Sequence, residues 1–249
     1  MDKVIVLAAG KGTRMDSELP KVLVPIKGRP MISYLIEEII KSGVCAKPII
    51  VVSPDNKELI KEALKDFTCD YVVQTEQLGT GHAFASAKSL IPAETENIIG
   101  LYGDHPFVKA ESIRKLLEEH EGVLTMMITK VKDFEGWHKN FYHWGRIVRN
   151  NKVLSFKKPV KAIIEFKDAT DEEKKITEVN PSFFCFDNKW LWENIDKLKN
   201  KNNQQEYYLT DLVKIAFDQN HKIHTLTINP KEAIGVNSKE ELEVAENIA

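Results

Sequence analysis

Val4-Ile5-Val6-Leu7-Ala8-Ala9-Gly10-Lys11-Gly12-Thr13-Arg14-Met15 is the stretch that decides the fold. It opens on an unbroken apolar run rich in β-branched residues, the composition of a strand buried on both faces. It continues in small residues and glycines, which let the main chain approach a ligand closely. Consecutive N–H groups in such a turn form an anion-binding concavity. Two common nucleotide motifs do not fit: G-x-G-x-x-G needs glycine where Met15 stands, and G-x-x-x-x-G-K-[ST] occurs nowhere. What remains is a glycine loop with three cations, Lys11, Arg14 and, after Pro20, Lys21, charge enough for a triphosphate. A glycine turn with solvated charges is the plainer alternative.

Further apolar runs of the same kind follow at Ile49-Ile50-Val51-Val52, Tyr71-Val72-Val73 and Ile98-Ile99-Gly100-Leu101-Tyr102. Helical patterns separate them. Ile32, Leu35, Ile36, Ile39 and Ile40 recur at i, i+3, i+4, i+7, i+8 and stop at Gly43, a natural cap. A stripe through Leu59, Ile60, Ala63 and Leu64 precedes the third run, and Ile113, Leu116 and Leu117 follow the fourth. This order predicts an α/β fold, a Rossmann-like mixed, mostly parallel sheet with helices on both faces. Beyond about residue 130 the alternation weakens. Asn150-Asn151 reads as a hairpin turn between two strands, so 131–186 is expected to be a small β-rich lobe. Residues 187–249 follow as C-terminal helices, one through Leu209, Leu212, Val213 and Ala216 and one opening on a Ser238-x-x-Glu241 capping box. Lys199 to Gln205, polar and Asn-rich, reads as a loop. The whole is one domain with 1–130 as its main part.

Thirty-five Lys plus Arg against 37 Asp plus Glu leave a net charge of −2, which argues against a chain built to coat nucleic acid or an anionic membrane. Cys45, Cys69 and Cys185 are odd in number and widely spaced, as for reduced thiols in a cytoplasmic protein. The longest apolar run is far below the roughly 20 residues of a membrane span, and no basic leader precedes it.

LAAGKGTRM followed by PKVL resembles the signature of the nucleoside-diphosphate-sugar pyrophosphorylases, and within them the uridylyltransferase domain of the bifunctional bacterial enzymes that make UDP-N-acetylglucosamine. Gln74-Thr75-Glu76-Gln77-Leu78-Gly79-Thr80-Gly81-His82-Ala83, Tyr102-Gly103-Asp104, Gly145-Arg146-Ile147, Ile164 to Ala169, Glu178-Val179-Asn180, Glu206 to Asp211 and Gly235-Val236-Asn237 recur in that family in the same order. The resemblance covers essentially the whole chain. It implies the nucleotide-diphospho-sugar transferase fold and transfer of a uridylyl group from UTP to N-acetylglucosamine 1-phosphate. Another sugar 1-phosphate, another NTP, or a catalytically silent nucleotide-sugar sensor are the alternatives.

The chemistry asks little covalent help of a protein. The attacking phosphate is already ionised, so catalysis comes from positioning two anions and offsetting their repulsion. By the resemblance, Arg14 and Lys21 are the catalytic cations, and Leu7, Ala8, Ala9, Gly10, Gly12, Thr13, Lys21, Gln74, Gly79 and Thr80 bind the nucleotide. Tyr102, Gly145, Glu165 and Asn180 take the sugar. Asp104 and Asn237 hold Mg²⁺, a hard cation that needs few protein oxygens beside phosphate and water. Glu206 to Asp211 is expected chiefly to anchor the helix it starts.

Two segments depart from the family. Glu135 to Trp144 is longer and more aromatic, reading either as a lid over the sugar or as packing beneath the lobe, and Lys157 to Lys161 lengthens the path to Glu165. His138 and His143 do not read as metal ligands. A hexapeptide-repeat acetyltransferase region, which the bifunctional enzymes carry, is absent up to Ala249, so that second activity is not expected. The expected partners are UTP and a sugar 1-phosphate, with neither nucleic acid nor membrane, in a monomer or weak homo-oligomer.

Overall fold

The computed structural model describes residues 1–248 apart from Lys11, Thr13, Arg14, Asp16, Glu18 and 151–157. Arg14 and Thr13, expected in the nucleotide site, thus lie outside the described residues, as does Lys11. In chain order the elements are β1 (Lys3–Leu7), β2 (Pro25–Ile26), β3 (Arg29–Pro30), α1 (Met31–Ser42), β4 (Ile49–Val52), α2 (Lys57–Ala63), β5 (Asp70–Val73), α3 (Thr80–Ser86), β6 (Asn97–Tyr102), α4 (Ala110–Glu118) and β7 (Leu124–Lys130). They continue with β8 (Arg146–Arg149), β9 (Val160–Ile164), α5 (Asp171–Lys174), β10 (Glu178–Val179), β11 (Phe184–Asp187), α6 (Asn188–Asn194), α7 (Asp211–Asp218), β12 (His224–Thr227), α8 (Pro230–Ala233) and α9 (Lys239–Ile248).

The large sheet runs β5-β4-β1-β6-β11-β7-β10-β8-β9, with β12 added to β7. Strands β5, β4, β1 and β6 are parallel, as the alternating first half predicts. Strands β4, β1 and β6 are buried on both faces, the edge strand β5 only partly, and each divides its side chains between two cores. Val4, Val6, Ile50, Val52, Ile99 and Leu101 pack under α1, α2 and α4. Ile5, Leu7, Ile49, Val51 and Ile98 pack under α3, α6 and α7. Full burial of one such aliphatic side chain is worth roughly 1.5–3 kcal/mol, so the double-sided strands fix the register. Helix α1 stops at Gly43, whose φ of 76° lets its N–H reach the Ile40 carbonyl at 3.1 Å. Leu59, expected on the buried stripe of α2, is half exposed; Ile60 and Leu64 carry that contact.

The antiparallel part is larger than the sequence suggests. Strand β11 lies antiparallel between β6 and β7, so the last strand expected in the small lobe belongs to the central sheet. Residues 178–187 form one segment that forks. Its first part, β10, pairs with β7 at Lys130 and Thr129 and with β8 at Arg146. Its second part, β11, pairs with β7 at Met126 to Leu124 and with β6. Between them Ser182 takes φ +64°, and here the outer strands β8 and β9 peel away from the parallel core. The expected hairpin turn at Asn150-Asn151 falls between β8 and β9 and lies partly outside the described residues. The Asn150 N–H reaches the Pro159 carbonyl at 2.8 Å, and Asn151 lies outside the described residues. All three cysteines are free. Among the described residues no helix is long and apolar enough to cross a membrane.

Candidate active site

The fork opens a cavity of about 510 Å³ at the C-terminal ends of the parallel strands, where ligands bind in open α/β sheets. Leu7 to Gly10 leave β1 along one side. The Gly103 N–H bonds the Leu7 carbonyl at 2.9 Å and the Ala8 N–H bonds Val51 at 2.8 Å. The Ala8 carbonyl accepts from Asn56 Nδ2 at 2.9 Å and that of Ala9 from Gln77 Nε2 at 2.7 Å. With these carbonyls held from behind, the loop is fixed from its first residues.

Gln74, buried at the end of β5, donates through Nε2 to the Gly79 carbonyl at 3.2 Å. Gly79 has φ +108°, and a Cβ there would lie 2.7 Å from the Tyr207 carbonyl oxygen. Only glycine suits both demands. The close approach is used at once: the Gly81 N–H bonds Tyr207 O at 2.7 Å, the Tyr207 N–H bonds Leu78 O at 2.8 Å, and the Leu209 N–H bonds Thr80 Oγ1 at 3.0 Å. Three bonds therefore clamp the 78–81 loop to the 207–209 segment.

At the centre, Lys21 Nζ donates to Asp104 Oδ2 at 2.5 Å and to Asn237 Oδ1 at 2.9 Å. Burial alone would raise the Asp104 carboxyl, but the Lys21 ammonium, with His105 behind it, brings it below the usual carboxylate range. Asn237 is set by its neighbours: the Val236 N–H bonds the Asp104 carbonyl at 2.9 Å, and Glu241 accepts from the Asn237 N–H at 2.5 Å. Ser238 Oγ accepts from the Glu241 N–H at 3.3 Å, as a residue opening α9 should. Asp104 Oδ2 and Asn237 Oδ1 thus converge on the Lys21 ammonium, which would have to turn toward a phosphate for a metal ion to take its place between them. A carboxylate and an amide oxygen so converged are a donor pair that fits Mg²⁺ when phosphate and water complete the shell. Among the described residues no group of three or more His, Cys, Asp and Glu could hold a metal by itself.

On the other side, Glu165 follows β9, its Oε1 accepting from Thr210 Oγ1 at 2.9 Å. Its burial raises its pKa, and Asp211, Asp168 and Glu206 nearby add to this against the Thr210 bond. Tyr102 also lines the cavity, its phenol pushed up by burial. Gly145 and Asn180 stand behind this wall. A Cβ on Gly145 would sit 3.4 Å from the Glu165 carboxylate. The Asn180 N–H bonds the Gly145 carbonyl at 3.0 Å, and its side chain bonds Ser182 N–H at 2.9 Å and Oγ at 3.0 Å. Ser182, so held, faces the cavity. Gly12 lies beside Lys21 rather than on the lining: its missing Cβ would be 2.4 Å from Lys21 Cβ.

Several lining residues have no counterpart in the sequence expectations. Gln77, Ser182 and Gln204 contribute, as do Glu206, Tyr208 and Thr210 from the segment expected to be an anchor. The anchoring is done by the main chain of Tyr207 and Leu209, while side chains on either side of them face inward. No periodic pattern marks these positions, since Gln205 is as polar as its neighbours, Tyr207 and Tyr208 are alike, and the segment joins no strand.

The aromatic segment contributes no lining residue. Gly136–Phe141 forms a 3₁₀ turn, Phe141 is buried, and Phe134, Trp137 and Trp144 pack against the core beneath α1 and α4. Its organiser is Arg146, fully buried, which donates to the carbonyls of Trp144, Tyr142 (2.7 Å) and Lys174 (3.2 Å) with its guanidinium 4.6 Å above the Phe134 ring. Of the two readings of this segment, the structure shows packing beneath the lobe and not a lid.

Residues 4–203 match the family model of the MobA-like NTP transferase domain. The chain belongs to this family. It is 38% identical over 247 residues to the bifunctional protein GlmU of Clostridium novyi (strain NT), a match covering 98% of this chain and 51% of that protein. It is 41% identical over 250 residues to the GlmU of Clostridioides difficile (strain 630), covering 99% and 51%. The chain spans about half the length of these relatives and is homologous to their N-terminal half. Its fold matches the crystal structure of a UDP-glucose pyrophosphorylase complexed with UDP-glucose at a TM-score of 0.75 and 21% identity, over 99% of this chain and 97% of that one. The mixed sheet with a parallel core is the fold the two share.

Proposed function

We propose that this member of the GlmU lineage is a Mg²⁺-dependent uridylyltransferase that forms UDP-N-acetylglucosamine and pyrophosphate from UTP and N-acetylglucosamine 1-phosphate. The observation that carries the reading is the convergence of Lys21, Asp104 and Asn237 between two walls of one cavity. A phosphate oxygen of the sugar 1-phosphate forms a bond to the α-phosphorus while the bond from that phosphorus to the pyrophosphate oxygen breaks. No proton need move. Lys21 lies where it can offset charge on the α-phosphate, and the loop from Leu7 to Gly10 packs the ribose and phosphates against main chain. Mg²⁺, held by Asp104 and Asn237, would supply further charge compensation to the phosphates. Gln74, with its amide nitrogen tied to Gly79, is oriented to meet the uracil imide edge with its oxygen. Glu165 supports the sugar reading, since a buried carboxylate needs donors and pyranose hydroxyls provide them.

The test is a panel of NTPs against sugar 1-phosphates, followed by pyrophosphate release. UTP with N-acetylglucosamine 1-phosphate is expected to give the highest kcat/KM. A higher value for another pair would replace the substrate assignment. Tight UDP-sugar binding with no turnover of any pair would make the chain a sensor.

A further inference from the structure

The run Lys199-Asn200-Lys201-Asn202-Asn203-Gln204-Gln205 connects Leu198 to the cavity segment. Asn200, Lys201, Asn202, Asn203 and Gln205 line a shallow outer recess with Asp168, whereas Gln204 lines the main cavity. One residue turned inward between two turned outward requires that the loop be held, and it is held from both sides. Asn202 Oδ1 accepts from the N–H groups of Gln204 (3.2 Å) and Glu206 (3.1 Å), and its Nδ2 donates to the Glu206 carbonyl at 2.6 Å. Asn203 ties the loop to the turn after β9, its N–H bonding Asp168 Oδ1 at 3.0 Å and its Nδ2 the Lys167 carbonyl at 2.7 Å. Gln205 completes the turn at φ +56°, a left-handed conformation uncommon outside glycine that clusters at ligand clamps.

The Gln204 amide is oriented as well. Lys167 Nζ donates to Gln204 Oε1, so the oxygen is occupied by an ammonium, and of the two donors on the –NH₂ group one faces the Tyr208 hydroxyl and one is left for a ligand. The carboxylates on this side of the cavity, Glu165 and Glu206, only accept when ionised. A sugar hydroxyl both donates and accepts, so a donor beside those carboxylates engages the oxygen lone pairs that they cannot.

We propose that Gln204 is a specificity-determining contact of the acceptor site, donating a hydrogen bond to a hydroxyl oxygen of the bound sugar. This rests on the reading of the cavity as a sugar 1-phosphate site. The experiment compares the full chain with Gln204→Ala, in which an exposed side chain is shortened, and with Gln205→Gly, which relaxes the turn without touching the amide. For Gln204→Ala, KM for N-acetylglucosamine 1-phosphate should rise about 5- to 10-fold, the scale of one neutral hydrogen bond, with KM for UTP unchanged. The 3-, 4- and 6-deoxy analogues locate the bond: the penalty should vanish for one of them. Gln205→Gly should behave as wild type. An equal penalty across all analogues would make Gln204 a structural prop, and no penalty would remove it from the site. Calorimetry with UDP-N-acetylglucosamine and UDP gives an answer independent of turnover. Gln204→Ala should weaken the first about 5- to 10-fold and leave the second alone. Wild type that binds the UDP-sugar without turnover sinks the enzymatic reading while this comparison still decides Gln204. Wild type that binds neither sinks both.

Discussion

The two walls of the cavity are made in different ways. The wall we propose for the nucleotide grows from the ends of parallel strands: Leu7 to Gly10 leave β1, Gln74 to Thr80 follow β5, and Asp104 stands just past β6. Each piece is contiguous, and much of its chemistry is main chain. The wall we propose for the sugar is a meeting of distant side chains, with Glu165, Ser182 and the pair Gln204 and Thr210 coming from three segments of the second half. Strand-end geometry positions the first wall; packing behind it positions the second. Perturbing one wall should therefore leave the other largely intact, except where they meet.

They meet at Asp104, and the largest effect is expected there. Asp104→Asn should lower kcat about 100- to 1000-fold, the scale of losing a preorganised charge at a transition state, while UTP binding measured by calorimetry survives. Turnover near wild type at saturating Mg²⁺ would take Asp104 out of the metal site. Next comes Arg146, which touches neither ligand region. Arg146→Leu strips the donor from the carbonyls of Phe141, Tyr142, Trp144 and Lys174 and should cost about 2–3 kcal/mol in urea unfolding. The remaining folded enzyme should show a raised sugar 1-phosphate KM and an unaltered UTP KM. Equal changes in both would show that the walls are mechanically one. The smallest effect expected is at Glu165. Burial holds its folded pKa above the unfolded value of about 4.3. The stability linked to that carboxyl is thus full below the unfolded pKa and is lost as pH rises through the folded one. Glu165→Gln cannot ionise and keeps the Thr210 bond. Its urea midpoint should match wild type near pH 4 and exceed it increasingly toward pH 8, with a weaker sugar KM. Parallel midpoints across that range would mean that Glu165 is not ionised at a cost.

The same contrast explains what could be read from the sequence. The strand-to-glycine-loop stretch and Tyr102-Gly103-Asp104 announce themselves because buried parallel strands are continuous apolar runs and their ends carry the chemistry in place. Asn237 is legible only through the family resemblance; its N–H is held by Glu241, four residues on, and that of Val236 before it by the Asp104 carbonyl, about 130 positions back. Ser182 and Gln204 were not legible. Ser182 faces the cavity because Asn180 spends its side chain on a turn, and Gln204 because Asn202, Asn203 and Lys167 hold it there. Neither leaves a periodic trace. The aromatic content of 134–144 was plain, but its direction depends on one buried arginine and on carbonyls that composition does not reveal.

The forked segment has a consequence for exchange of parts. Strand β7 leaves the central sheet at the point where β10 returns to it, Lys130 opposite Glu178 and Thr129 opposite Val179, and the Val131 N–H closes the gap to the Thr177 carbonyl at 3.1 Å. The chain therefore leaves and re-enters the central sheet at neighbouring positions, 131 and 177. Chain ends fixed side by side make the length between them cheap, since closure entropy grows only as the logarithm of loop length. The path between these ends can thus change length without re-registering a parallel strand, provided that β9 keeps its packing on α7 and Phe141 its place in the core beneath α1 and α4.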